Sequence, residues 1–260
     1  MAELTVVGCG TVVPEGDRAA SSFHYRSAST GLLIDCGPGA VQALARLELP
    51  WGDLTDLAIT HFHADHVGAL PGLFFALTHG LATRRTTPLE VWGPVGTESL
   101  FRILAEALGE FMLDPGFPVR FREVAPGDRV RLGGGETLSV HKTPHTDESL
   151  AYRVDGSSGS FGYSGDTGPS ETLGPFMRGV DVFVCECSLR DEEVGTNHLS
   201  PTSAAAIASA ASPGALVVTH IYPHVRAAVP IGELIEAAGY RGRVVLAHEG
   251  LALPLGEAAD

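Results

Sequence analysis

Short apolar runs, separated by glycine, proline or polar residues, recur along the whole chain. Most are only four to six residues long and rich in valine, isoleucine and leucine, a pattern that predicts β-strands. Strands are predicted at residues 4–7, 31–35, 57–60, 89–92, 119–124, 138–143, 150–154, 160–164, 180–185, 215–219 and 244–247. Such a series of short strands indicates a fold built around β-sheet.

Fewer segments have the length and spacing of a helix. Helices are predicted at residues 39–47, 71–81, 95–108, 201–211 and 231–238. The fourth has a clear start, because Ser200 can cap it and Pro201 suits a first turn. Strands and helices occur in both halves of the chain, so we expect an α+β fold of two sheets with outer helices. No repeat or linker divides the chain, which predicts a single domain over residues 1–260.

The composition is that of a folded protein. Hydrophobic residues make up 44% and charged residues 18% of the 260, enough to form a sizeable core. No apolar run approaches the roughly 20 residues that span a bilayer, and the first residues lack the pattern of a secretion signal. Cysteines are few, and Cys185 and Cys187 would share one strand face, too close for an ordinary disulfide. We therefore expect a cytoplasmic protein without a membrane partner.

The chain is acidic, with a formal net charge of −14. Such a charge repels polyanions at long range, and no basic cluster stands out beyond Arg84 and Arg85. Bound metal ions would add positive charge that the sequence count omits. The charge therefore disfavours nucleic acid as a partner but leaves it open.

A cluster of metal-binding residue types follows the predicted strand at 57–60. It contains His61, His63, Asp65 and His66 within six residues. In an extended segment the first two histidines point the same way, whereas the last two residues begin a turn and can face a second ion. Buried groups of this kind are hard to satisfy without a cation. We predict two adjacent divalent ions, zinc first, with manganese or iron as alternatives because geometry and availability also decide selectivity.

Two metal sites need more ligands than this cluster offers. His145, Asp166 and His220 each follow an apolar run, where a loop at a sheet edge would present the side chain outward. Taken singly, each could equally be a solvated or structural group. Their shared placement favours a role as ligands.

The motifs, taken in order, resemble those of the metallo-β-lactamase superfamily and, within it, the ribonuclease Z-like branch. The resemblance covers nearly the full length and runs through residues 4–11, 33–37, 61–66, 69–72, 92–94, 164–167, 185–188, 198–200, 219–221 and 247–250. It implies a four-layer αββα sandwich and a metal-dependent hydrolase. Homodimers are common on this fold, so we also expect that a homodimer can form.

The resemblance also implies how the ligands divide between two ions. One ion would be held by His61, His63 and His145, the other by Asp65, His66 and His220, with Asp166 bridging them. Asp35 would accept the free N–H of a ligating histidine. The alternative is that Asp35 only stabilises the turn before Gly37.

Three residues are candidates for catalysis. Asp65 would orient the attacking water beside the metals. Glu186 and His198 resemble the pair that this branch uses near the scissile bond, where His198 would contact phosphate or donate a proton. For His198 the alternative is an ordinary loop histidine. The five remaining histidines are assigned no role: His24, His79, His141, His224 and His248.

Three classes of function fit these features. A phosphodiesterase is favoured by the branch resemblance and by His198, a lactone, thioester or β-lactam hydrolase is the alternative, and a non-catalytic metal-binding carrier is the third. Ribonuclease Z usually carries a long tRNA-binding arm between the positions that match His145 and Asp166, but here only two predicted strands and a hairpin separate them. We therefore expect a small phosphodiester or cyclic nucleotide as the substrate.

Overall fold

The apolar runs assemble into fourteen strands in a computed structural model that describes residues 2–193 and 195–256. The ends of the predicted domain, Met1 and residues 257–260, lie outside the described residues. The strands are β1 (Ala2–Gly8), β2 (Ser22–Arg26), β3 (Gly31–Ile34), β4 (Asp56–Ala58), β5 (Leu89–Gly93), β6 (Val119–Glu123), β7 (Arg129–Arg131), β8 (Thr137–Lys142), β9 (Leu150–Gly156), β10 (Gly159–Tyr163), β11 (Val182–Glu186), β12 (Ala215–Thr219), β13 (Arg243–Leu246) and β14 (Ala252–Leu255).

These strands form two mixed sheets of seven. The first has the order β14-β1-β2-β3-β4-β5-β6 and the second the order β13-β12-β11-β10-β9-β8-β7. The helices are α1 (Ala40–Arg46), α2 (Ala64–Val67), α3 (Leu70–His79), α4 (Thr97–Leu108), α5 (Leu173–Phe176), α6 (Pro201–Ala211), α7 (Pro223–Ala228) and α8 (Ile231–Ala237). Among the described residues, no helix is long and apolar enough to cross a membrane.

Three apolar clusters show how the layers stack. One lies between the sheets and includes Phe23, Tyr152 and Val184. The other two lie on the outer faces, one under α1, α3 and α4 and one under α5, α6 and α8. Alternation along β11 illustrates the division, because Val184 faces the inner cluster and Cys185 an outer one. The predicted α+β four-layer sandwich is confirmed.

The direction of the strands places the loops that follow them at the same edge of each sheet. In the first sheet β3, β4, β5 and β6 run parallel, and in the second β10, β11, β12 and β13 do. Strand β8 runs in the same direction as β10, because both pair antiparallel with β9. The carboxyl ends of parallel strands meet at the same edge of a sheet, which is where open α/β sheets bind ligands.

Six elements were not predicted from the sequence: β2, β7, β14, α2, α5 and α7. Strand β14 contains Pro254, which argues against a strand but is tolerated because β14 lies at a sheet edge. Strand β7 has only three residues and α5 only four. Strand β2 did carry a signal, since Phe23 and Tyr25 alternate and both enter the inner core.

Two buried carboxylates lie away from the candidate metal ligands. Glu136 accepts hydrogen bonds from the hydroxyls of Tyr25, Ser27 and Thr30. Burial alone would raise the pKa of Glu136, but these hydrogen bonds outweigh it and lower the pKa below its usual value. Asp56 accepts the indole N–H of Trp92 at 2.8 Å, and burial raises its pKa.

Candidate metal centre

The predicted cluster lies on the turn that follows β4. His63 has extended backbone angles and directly precedes α2, which carries Asp65 and His66. The glycine turn after β3 packs against it so closely that a Cβ atom at Gly37 would lie 2.1 Å from the backbone oxygen of Asp65. The extended-then-turn geometry expected from the sequence is therefore present, and a glycine at position 37 is what allows it.

One group of donors gathers His61, His63, His145 and Asp166, with all ligand atoms within 4.8 Å of one another. His145 Nε2 lies 3.0 Å from His63 Nδ1 and 3.6 Å from Asp166 Oδ2. His61 Nε2 lies 3.8 Å from the same carboxylate oxygen. His145 donates its Nδ1–H to the backbone oxygen of Asn197 at 2.8 Å, which leaves Nε2 facing the centre.

A second group gathers Asp65, His66 and His220 within the same 4.8 Å limit. His220 Nε2 lies 3.3 Å from Asp65 Oδ2, although the two residues are 155 positions apart in the chain. His66 donates its Nδ1–H to Asp35 Oδ2 at 2.7 Å, so its Nε2 also faces the centre. Asp35 thus occupies the place predicted for it, beside a candidate ligand.

Asp166 lies between the two groups and offers each a different oxygen. Its Oδ2 faces His61 and His145, while its Oδ1 lies 3.2 Å from His66 Nε2 and 3.6 Å from His220 Nδ1. This is the arrangement that a carboxylate bridging two ions requires.

The centre fits a pair of cations because buried polar atoms there are left without partners. His61 Nε2, His66 Nε2 and Asp166 Oδ1 are all buried, and none makes a hydrogen bond. His66 Nε2 and Asp166 Oδ1 are 3.2 Å apart but do not have hydrogen-bond geometry. Buried polar atoms are normally satisfied, so three orphans around one point indicate a group bound between them. Imidazole and carboxylate donors are those of a divalent metal site.

The charges at the centre perturb one another strongly. Burial would raise the pKa of Asp166, but the imidazoles of His220 and His66 hold it well below its usual range. Burial lowers the pKa of His61, and the neighbouring His66 lowers it further. Clusters of perturbed groups of this kind are typical of functional sites.

His198 and Glu186 lie together at the side of this centre. Glu186 is fully buried, and its Oε1 accepts the Nδ1–H of His198 at 2.8 Å. His198 also forms a group with Asp166 and His220, with ligand atoms within 4.8 Å. Burial alone would lower the pKa of His198, but the hydrogen bond and charge of Glu186 raise it above its usual value. Glu186 therefore lies behind His198 and does not face the centre itself.

Tyr222 was not predicted as a site residue, although it follows His220 by only two positions. Its ring centroid lies 6.3 Å from those of His198 and His220. Burial and the nearby carboxylates of Asp65 and Asp166 raise its pKa. The five histidines that were given no role belong to none of the donor groups found among the described residues.

A cavity of about 320 Å³ opens beside Asp65. Its lining includes the exposed side chains of Val12 and Val13 and the rings of Pro14 and Pro38. Three charged residues also line it: Asp65, Glu15, which pairs with Arg226, and Arg18, which donates to Cys9 Sγ. The surface next to the centre is therefore largely apolar.

Comparison with known proteins identifies the family of the chain. The family model of the beta-lactamase superfamily domain matches residues 30–221. The chain belongs to this superfamily. Within the superfamily it is 28% identical over 250 residues to a protein of Mycobacterium bovis named ribonuclease Z, covering 86% of this chain and 87% of that protein.

Solved structures share the fold of this chain. The metallo-beta-lactamase fold protein YhfI from Bacillus subtilis superposes with a TM-score of 0.83 at 23% identity, covering 97% of this chain and 99% of that one. The short form of human tRNase Z superposes with a TM-score of 0.78 at 22% identity and the same two coverages. The resemblance inferred from the motifs is confirmed.

Proposed function

We propose that this superfamily member is a dinuclear metal-dependent hydrolase that cleaves small phosphodiesters. The observation that carries the proposal is the position of Asp166, whose two oxygens face two separate donor groups while His198 borders the same point. The similarity to proteins named ribonuclease Z supports phosphodiester chemistry.

The two ions would have separate ligand sets, with zinc as the proposed metal. His61, His63 and His145 would hold one, Asp65, His66 and His220 the other, and Asp166 would bridge them. When bound, such a pair of ions would lower the pKa of a bound water toward neutrality and neutralise charge that develops on a phosphoryl oxygen. Imidazole nitrogen and carboxylate oxygen donors suit zinc, and they can also bind manganese or iron.

The residues of the chain supply orientation and a proton. Asp65 is placed to orient the attacking water, since its carboxylate borders both the centre and the cavity. His198, held at Nδ1 by Glu186, presents Nε2 toward the centre and can protonate a departing alkoxide oxygen. Glu186 contributes by fixing the direction of that imidazole, and not by contact with the substrate.

The substrate should be small. The segment between His145 and Asp166 is occupied by β9, β10 and their short turn, so it contains no arm that could hold a folded RNA. A cavity of about 320 Å³ is at the lower end of the range for small-molecule sites. Its apolar lining and the net charge of −14 favour a compact phosphodiester, such as a cyclic nucleotide, over a polyanion.

A substrate panel tests the reaction type. Turnover of bis-p-nitrophenyl phosphate in the presence of zinc or manganese is compared with turnover of a lactone and of a thioester. We expect the phosphodiester to be preferred. Preference for an acyl substrate would identify the alternative, an acyl hydrolase, and a metal-loaded protein without turnover on any of them would indicate a metal-binding carrier.

A substitution at His198 tests the mechanism. An alkoxide leaving group needs a proton, whereas p-nitrophenolate does not, so His198→Ala should lower kcat on a cyclic nucleotide by about 10²-fold or more and much less on bis-p-nitrophenyl phosphate. Metal content should stay the same. Equal losses on both substrates together with a lost ion would make His198 a ligand and refute the proton-donor role.

Two further proposals concern the setting of the protein. All four cysteines are buried and free, which supports our placement of the protein in a reducing cytoplasm. The homodimer stays a prediction, and light scattering on the purified protein measures it.

A further inference from the structure

A buried hydroxyl connects Glu186 to a second imidazole. Ser188 Oγ lies 2.7 Å from Glu186 Oε2 and 2.9 Å from Nδ1 of His220. All three groups are buried, so no water competes for these contacts. The other oxygen of the same carboxylate accepts the Nδ1–H of His198. Glu186 therefore orients one histidine, His198, directly and a second histidine, His220, through the hydroxyl of Ser188.

The same arrangement recurs on the opposite sheet. Thr60 Oγ1 lies 2.9 Å from Asp35 Oδ2 and 3.0 Å from Nδ1 of His61, while Asp35 accepts His66 directly at 2.7 Å. Thr60, Asp35 and both histidines are buried. Each half of the sandwich thus has a carboxylate, a hydroxyl and an imidazole in series.

The hydrogen count in these series fixes the state of each imidazole. Carboxylate and carbonyl oxygens only accept. The hydroxyl hydrogen of Thr60 therefore goes to Asp35, and that of Ser188 goes to Glu186 or to the backbone oxygen of His220, which lies 2.8 Å away. The hydroxyl oxygen can then only accept from the neighbouring Nδ1, which must carry the hydrogen. His61, whose Nε2 makes no hydrogen bond, is therefore held as the Nδ1–H tautomer. Nε2 of His220 lies 3.3 Å from Asp65 Oδ2, so the same tautomer is fixed there once the proposed ion binds between these two atoms.

We propose that Ser188 and Thr60 are positioning residues, each of which fixes the tautomer and ring orientation of one metal ligand, Ser188 for His220 and Thr60 for His61. The inference rests on the proposed function, since it takes those histidines as ligands. The proposal predicts a selective effect, because the two hydroxyls contact ligands of different ions. Loss of one hydroxyl should lower the affinity for one ion and leave the affinity for the other unchanged.

The first experiment measures metal affinity ion by ion. Wild type, Ser188→Ala and Thr60→Val are titrated with Co²⁺ against a chelating indicator, and His220→Ala and His61→Ala show which absorption step belongs to which ion. Removal of a group that orients a ligating histidine typically costs 10–100-fold in metal affinity. In Ser188→Ala we expect that loss for the ion held by Asp65, His66 and His220. In Thr60→Val we expect it for the ion held by His61, His63 and His145. In each variant the absorption step of the other ion should stay unchanged.

Control variants separate the hydroxyl from packing. Ser188→Thr and Thr60→Ser keep the hydroxyl and should keep affinity close to wild type. Thr97→Val removes a buried hydroxyl that donates to the backbone oxygen of Pro94, away from any candidate ligand, and should leave both steps unchanged. Losses in the hydroxyl-retaining variants as large as in Ser188→Ala and Thr60→Val would show that only packing matters and would overturn the inference.

The second experiment reads the tautomer without metal or substrate. Long-range ¹H–¹⁵N spectra of the metal-free protein distinguish Nδ1–H from Nε2–H imidazoles. We expect His61, whose Nε2 makes no hydrogen bond, as Nδ1–H in wild type and as a mixture in Thr60→Val. A wild type that binds two ions but shows His61 as Nε2–H in the metal-free state, or unchanged affinities in both variants, would overturn this inference alone. A wild type that binds no ion would overturn the proposed function.

Discussion

Removal of the metal ions should lower the thermal stability of the protein by a predictable amount. A ligand at a hundredfold excess over its Kd adds about 2.7 kcal/mol to the folded state, so two ions add about 5 kcal/mol. The structure gives the same scale independently. Three buried atoms lack partners, and at roughly 1–3 kcal/mol each they put the cost of an ion-free centre at about 3–9 kcal/mol.

The expected shift in Tm follows from the size of the chain. An unfolding entropy of about 2.1 cal/mol/K per residue gives about 0.55 kcal/mol/K for 260 residues, so 5 kcal/mol corresponds to about 9 °C. Calorimetry of protein dialysed against a chelator, before and after addition of zinc, measures the shift. Elemental analysis of the same samples should give close to two ions per chain.

Two matched variants make the test specific. Asp166→Asn removes the carboxylate that both donor groups share, and most of the zinc-dependent shift should disappear. Asp56→Asn changes an equally buried carboxylate that contacts Trp92 and lies away from the ligands, so the shift should remain even if the starting Tm falls. If two ions bind to wild type and Tm moves by less than about 2 °C, the ions do not occupy the buried donors and the reasoning fails.

Two more predictions concern positions outside the ligand set. Gly37→Ala should cost about 2 kcal/mol or more and impair metal binding, because its Cβ would meet the backbone of Asp65, whereas Gly16→Ala, with nothing within 4 Å, should be neutral in urea unfolding and metal titration. Glu136 has a lowered pKa, so its stabilising effect is present above the unfolded-state pKa, about 4.3, and is lost as pH falls through the folded-state value. Glu136→Gln should therefore be less stable than wild type at pH 7 and should lose less stability when the pH is lowered below about 4.3. Urea unfolding midpoints of both proteins at the two pH values measure this. Equal decreases in the midpoints of the two proteins would contradict the prediction.

The sequence predicted most of the sheet framework and the local geometry of the His cluster. Strand alternation alone indicated that Cys185 and Cys187 share a face and that Glu186 points the other way, and this is what the structure shows. The division of donors into two groups could not be worked out from spacing. His220 meets Asp65 across 155 residues, and only the resemblance to a family supplied that pairing.

The roles of the Ser188 and Thr60 hydroxyls could not be predicted from the sequence, for a different reason. Ser188 and Thr60 are among the commonest residue types, and nothing in their neighbours shows which way the hydroxyl points. Their contacts depend on where two strands end relative to each other, which is a tertiary property. The left-handed backbone at Asp35 and His220, with φ of 56° and 53°, was equally invisible, although it helps turn both side chains toward the site.

The candidate ligands come from both sheets, and this has a consequence for how the protein matures. His61, His63, Asp65 and His66 follow β4 in the first sheet, whereas the other three follow β8, β10 and β12 in the second. Neither sheet holds a complete set, so an ion cannot be fully coordinated until the two have packed. Burial of the apolar core brings such distant segments together, so the complete donor set of each proposed ion exists only after the two sheets have packed. On the proposed ligand assignment, we expect a cell short of metal to contain folded but inactive chains, which a later supply of ions could activate without new synthesis.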